Sequence, residues 1–195
     1  MKQEPRSRRQ ISRRGLTLAV MLLGWLCILP GANRAEEVID PRLQIGINLL
    51  PAIIAANKAV ISSPMDTELP IYLVYDRNRH LAERLLGRLA NLGAIRERSL
   101  VISAVPLDTL LAGDLDRNAS VFIVEPLDDR LDDLIEFSQA RRALLFSPFQ
   151  GDVENGVSAG FQVTDKVLPM VNMESLKQSK IQLKAFFLRI AVKYE

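Results

Sequence analysis

The sequence predicts an α/β domain whose sheet is mostly parallel and covered by helices on both faces. Three observations lead there. Short apolar runs recur at residues 71–75, 100–105, 121–124 and 143–146, the length and pattern of strands buried on both sides. Between them, Leu81, Leu85, Leu89 and Leu92, then Leu127, Leu131, Leu134, Ile135 and Ser138, recur at helical spacing. Near the end, Val157, Ala159, Phe161 and Val163 alternate with smaller or polar residues, the pattern of a half-buried strand. Buried strands joined by helices lie parallel, because a crossover must return the chain to the same edge. The class is a doubly wound, flavodoxin-like three-layer sandwich, finished by a C-terminal β-hairpin and helices.

The elements follow in order. Residues 1–35 have the form of an export signal. Arg6, Arg8, Arg9, Arg13 and Arg14 precede an apolar run over 16–29, which Pro30 and Gly31 break before small residues. The run is too short for the roughly 20 residues that span a bilayer as a helix. The best cut falls after Ala35, and Ser12-Arg13-Arg14-Gly15-Leu16 resembles a twin-arginine motif. The expected location is therefore the periplasm, with a retained N-terminal anchor as the alternative. Residues 36–195 then form a single domain. An Ala-rich apolar stretch over 43–60 contains Pro51 and predicts a helix beginning near that proline, which suits a first turn. After a linker over 62–70 comes the first strand, closing on Asp76-Arg77-Asn78-Arg79. Gly93 stops the next helix. A short helix over 107–111 ends at Gly113, and the third strand closes on Glu125-Pro126. The fourth closes on Ser147-Pro148-Phe149. Thr164-Asp165-Lys166 is a turn between the last two strands. Helices over 173–180 and 184–194 complete the chain, the second with Phe187, Ile190, Ala191 and Tyr194 facing inward.

Composition removes several chemistries. The export segment holds seven basic residues and one acid, so the whole-chain charge of +2 becomes −4 over residues 36–195. A mildly acidic domain without a basic stripe is a poor nucleic-acid binder. The one cysteine, Cys27, lies in the export segment, and His80 is the one histidine. Thiol nucleophiles, Cys/His zinc sites and Cys-bound clusters are excluded from the exported part. No cofactor motif is present, so no cofactor and no metal are expected.

Gly156-Val157-Ser158-Ala159-Gly160-Phe161, Val171-Asn172-Met173-Glu174-Ser175-Leu176 and the stretch 181–191 resemble the YfiR family. The Asn172 turn and the Leu183, Phe187, Leu188, Ala191 pattern carry that resemblance. It implies an exported, non-enzymatic regulator that binds the periplasmic domain of an inner-membrane diguanylate cyclase and holds it inactive. The chain lacks that family's disulfide cysteines and its aromatic-rich opening helix. The preceding strand–helix alternation also resembles one lobe of a type I periplasmic solute-binding protein, so a small-molecule ligand is the alternative. A second copy of the chain is a further candidate partner.

Candidate binding residues sit in the loops at the carboxyl ends of the strands, where this fold class receives ligands. They are Asp76, Asn78, Glu125, Ser147, Phe149, Gly151 and Asp152, with Asn172 added by the resemblance. Each has a plainer reading. Asp76 or Asn78 suits a helix N-cap, Glu125 a satisfied structural acid, and the 147–156 loop a long connector. His80 reads as a surface residue. The acidic run 128–133 lacks calcium-loop spacing and suits a helix's first turn. Ser147 lacks a nucleophile elbow.

Overall fold

The structure is a computed structural model and describes residues 39–195. The expected export segment and its expected cleavage point lie outside the described residues. The elements are α1 (Pro41–Ala56), α2 (Lys58–Ser62), β1 (Leu69–Tyr75), α3 (Arg79–Ala90), β2 (Ala94–Ile95) and β3 (Arg98–Pro106). After them come α4 (Leu107–Ala112), β4 (Ser120–Ile123), a 3-10 turn (Asp128–Arg130), α5 (Leu131–Ala140), β5 (Leu144–Phe146) and β6 (Ala159–Val163). The chain closes with β7 (Val167–Asn172), α6 (Met173–Gln178), α7 (Ala185–Ile190) and β8 (Val192–Tyr194). The strands form one eight-stranded sheet in the order β2-β3-β1-β4-β5-β6-β7-β8. From β3 to β6 every neighbouring pair is parallel.

Alternation along β1 sorts the core into two layers. Leu69, Ile71, Leu73 and Tyr75 meet α1 and α3, whereas Val74 meets α4 and α5. Phe122 and Phe146 from β4 and β5 stack with ring centroids 5.4 Å apart on the α1 side. Gly46 lets α1 approach there, since a Cβ at that position would stand 3.2 Å from the Phe122 ring. On the other face Leu131, Leu134, Ile135 and Ser138 are buried, as their spacing predicted.

Three elements depart from the sequence reading. The first helix begins ten residues earlier than Pro51, at Pro41, with the Asp40 carboxylate accepting from the Arg42 N–H at 2.7 Å. Pro51 stays inside α1 and leaves one carbonyl without its intrahelical donor. Burial of Leu43, Ile47, Leu50, Ile53 and Ile54 offsets that loss, at about 1.5–3 kcal/mol per large side chain.

The second departure is a hairpin. Ala94–Ile95 pairs antiparallel with the start of β3 across Arg96 and Glu97, both left-handed at φ 50° and 64°. Two positive φ values make a mirror-image tight turn that Asn-Gly usually supplies, and neither residue advertises it. Arg98, only 4 % exposed, follows directly. Its guanidinium donates to the carbonyls of Ile61, Ser63 and Pro64, closing the carboxyl end of α2.

The third is the tail. The last helix stops at Ile190 and the chain turns into β8, parallel to β7 with Met170 opposite Val192. Phe187 is buried, but Ile190 and Tyr194 are exposed, so the predicted inward stripe is wrong for those two. The edge of β7 has backbone groups to satisfy, and pairing them outweighs extending a short helix.

Candidate binding site at the carboxyl ends of the strands

β1 lies between β3 and β4, so strand order reverses there and opens a crevice beyond the β1 and β4 carboxyl ends. Asp76, Arg77 and Asn78 follow β1, and Glu125 follows β4. One oxygen of Glu125 accepts from all three consecutive backbone N–H groups, at 2.9, 2.8 and 2.8 Å. Successive N–H groups converging on one point form an anion nest, the usual seat for a ligand's phosphate or carboxylate. Here the chain's own carboxylate occupies it. Asn78 is the α3 N-cap, accepting from the Leu81 N–H at 3.0 Å. Asp76 does not cap; its carboxylate meets the exposed Arg77 guanidinium at 3.1 Å.

The second group surrounds the carboxyl end of β5. Ser147, 1 % exposed, donates its hydroxyl to the Asp152 carboxylate and accepts from the Phe149 N–H. Burial pushes the Asp152 carboxyl above its ordinary 3.8; the Ser147 bond offsets part of this, Glu154 adds to it, and Arg42 opposes it. Gly151 and Gly156 sit at φ 91° and 115°, so the two bends of this loop need residues without a Cβ. Gly160 serves closeness instead. A Cβ there would stand 2.6 Å from the Ser147 carbonyl oxygen.

Asn172 ties this loop to α6. Its side-chain oxygen accepts from the Ser175 N–H at 2.9 Å, capping α6, and its amide donates to the Val153 carbonyl at 2.8 Å. The Ser158 and Ser175 hydroxyls bond 3.1 Å apart beneath it. From the other side Arg42 donates to the Pro148 carbonyl at 2.8 Å and lies over the Phe161 ring. Phe149 and Gly151 border a depression of about 110 Å³ beside Arg42, well below the roughly 300–1,000 Å³ of small-molecule pockets.

The eight predicted residues therefore form two hydrogen-bonded groups along one edge of the sheet. Asp76, Asn78 and Glu125 make the first; Ser147, Phe149, Gly151, Asp152 and Asn172 make the second. No hydrogen bond among the described residues joins them. His80 is exposed. In the acidic run, Asp133 pairs with Arg130 at 3.2 Å, and Arg130 also meets Asp108 at 2.7 Å. Sequence reasoning missed Arg42, whose role depends on α1 starting early enough to carry it.

No protein-family model matches the chain, and no curated protein does. Among solved structures it is similar to a conserved domain protein from Vibrio cholerae O1 biovar El Tor strain N16961, with a TM-score of 0.51 and 14 % identity. It is also similar to the ABC domain in complex with L-Trp from Streptococcus pneumonia, with a TM-score of 0.51 and 11 % identity. The alignments cover 80 % and 78 % of this chain and 60 % of each of those chains. The likeness is one of fold: a doubly wound α/β sandwich.

Proposed function

We propose that this chain is an exported, non-enzymatic interaction module of the YfiR kind. In this reading it binds the periplasmic part of an inner-membrane signalling protein, such as a diguanylate cyclase, and represses it by occupancy. The observation that carries the reading is Asn172. The residues behind the family resemblance form one interlocked unit, in which that side chain caps α6 and holds the 147–156 loop at once. The occupied nest at Glu125 supports it too, since the crevice where this fold receives anionic ligands is closed by the chain itself.

The solute-binding-like fold favours a second reading, a small periplasmic solute binder. Its crevice would then have to open by displacing Glu125, and a bilobed clamp would need a second lobe. In-cell crosslinking separates the two. A photoreactive residue placed at exposed Phe186 or Ile190 should capture a membrane protein carrying a cyclase output domain. Capture of no membrane protein, together with tight binding of an amino acid by the purified chain, would overturn the first reading in favour of the second.

A further inference from the structure

A cavity of about 530 Å³ lies at the opposite end of the strands, where the chain enters β4 and β5. Arg117, Arg141, Arg142 and Lys180 line it, and no acidic residue among the described residues does. That concentration of cations runs against a net charge of −4 over residues 36–195.

Two of the four owe their place to helix ends. α5 closes with Ala143 N–H to Ser138 carbonyl at 2.9 Å and Arg142 N–H to Gln139 carbonyl at 3.1 Å. α6 closes in the same way, Ile181 to Leu176 at 2.9 Å and Lys180 to Lys177 at 3.0 Å. This double bond places the residue just past the helix in left-handed backbone, a position glycine usually holds. Here Arg142 and Lys180 hold it, at φ 56° and 55°. A cation near a helix carboxyl end is favoured by the dipole, which accounts for one charge at one end. It does not account for two such ends meeting at one cavity with Arg117 beside them.

Arg141 is already balanced, at 3.1 Å from Asp114 and stacked on the Phe137 ring. Arg117, Arg142 and Lys180 make no ion pair or side-chain hydrogen bond among the described residues. Each helix end offsets about half a charge, leaving an excess of roughly two positive charges. Asn118 and Ser63, hydrogen-bonded to each other at 2.7 Å, add neutral polar groups to the wall. Cations from three separate segments suit a group with oxygens on every side, a tetrahedral phosphate rather than a planar carboxylate. We propose that this cavity binds the phosphate of a small phosphomonoester. The site is independent of the carboxyl-end loops and of the regulatory reading.

The test titrates the full chain with inorganic phosphate and with glycerol 3-phosphate at fixed ionic strength, by calorimetry and thermal unfolding. The expected result is saturable binding that weakens about tenfold or more in the triple variant Arg117→Gln, Arg142→Gln, Lys180→Gln. A second variant, Arg142→Gly with Lys180→Gly, should lose affinity while unfolding no earlier than the parent, because glycine relieves the left-handed backbone. Residues serving only the helix ends would leave the phosphate response of both variants unchanged. That result would overturn the proposal. So would absence of saturation, or binding to phosphatidic-acid vesicles without binding to the soluble ester.

Discussion

Glu125 and Asp152 are two carboxylates in one row of loops held by different partners, backbone N–H groups for the first and the Ser147 hydroxyl for the second. Glu125 receives three backbone donors on one oxygen. Removing it exposes those donors to a partly buried crevice. Glu125→Ala should destabilise the domain by about 1–3 kcal/mol in urea unfolding, and Glu125→Gln, which keeps an acceptor, by less. Asp152 has a folded pKa raised above 3.8 chiefly by burial. A carboxyl of that kind holds its proton more tightly folded than unfolded. Its contribution to stability is complete below the unfolded value and is lost as pH rises through the folded one. Asp152→Asn cannot ionise and keeps an acceptor for Ser147. Its urea midpoint should fall less than the parent's as pH rises from about 3.5 to 6. An equal fall in both would show that Asp152 does not carry this dependence.

Elements here depend on a few side chains that close their ends. Asn172 closes two at once, and the two tasks are separable. Asn172→Ala should lose about 2 kcal/mol, combining a helix cap with an orphaned buried carbonyl. Asn172→Asp keeps the cap but cannot donate to the Val153 carbonyl. It should preserve α6 while the 147–156 loop becomes open to limited proteolysis. Equal proteolysis of that variant and the parent would show that the loop does not rely on the amide. Arg98 has a comparable duty at the end of α2, yet its position in a strand gives no hint of it. A buried arginine is legible only when the carbonyls it reaches, 34 to 37 residues earlier, have been placed.

At the scale of the molecule, the last helix divides into a face that folds the domain and a face left free. Phe187 is 3 % exposed and belongs to the core formed with α1 and the sheet, whereas Phe186 is 48 % exposed. Phe187→Asp should abolish cooperative unfolding by burying an unpaired charge. Phe186→Asp should stay within about 0.5 kcal/mol of the parent, as an exposed substitution does. If it then loses its crosslink to a membrane partner, the free face is the contact surface. Equal stability of the two variants would mean that α7 is not docked as described.

The order of the parallel strands and their helices, the inward faces of α5 and of α3 as far as Leu89, and the candidate loops were legible in the sequence, because each depends on local periodicity or on turn residues. Leu92, read as the end of the α3 face, lies past the helix and is 45 % exposed. Asn172 was legible only through the resemblance, and its double bonding not at all. The early start of α1 was hidden because a proline within an apolar run reads as a beginning until core burial outweighs one missing bond. The conversion of the tail into β8 was hidden because it answers an unpaired sheet edge supplied by residues 167–172. The same holds for Glu125 in its nest and for the basic cavity, where Arg117, Arg142 and Lys180 lie far apart along the chain. Periodicity is a property of neighbours in sequence, and it determined the layers. Hydrogen-bond satisfaction and charge balance are properties of neighbours in space, and only the folded chain decided them.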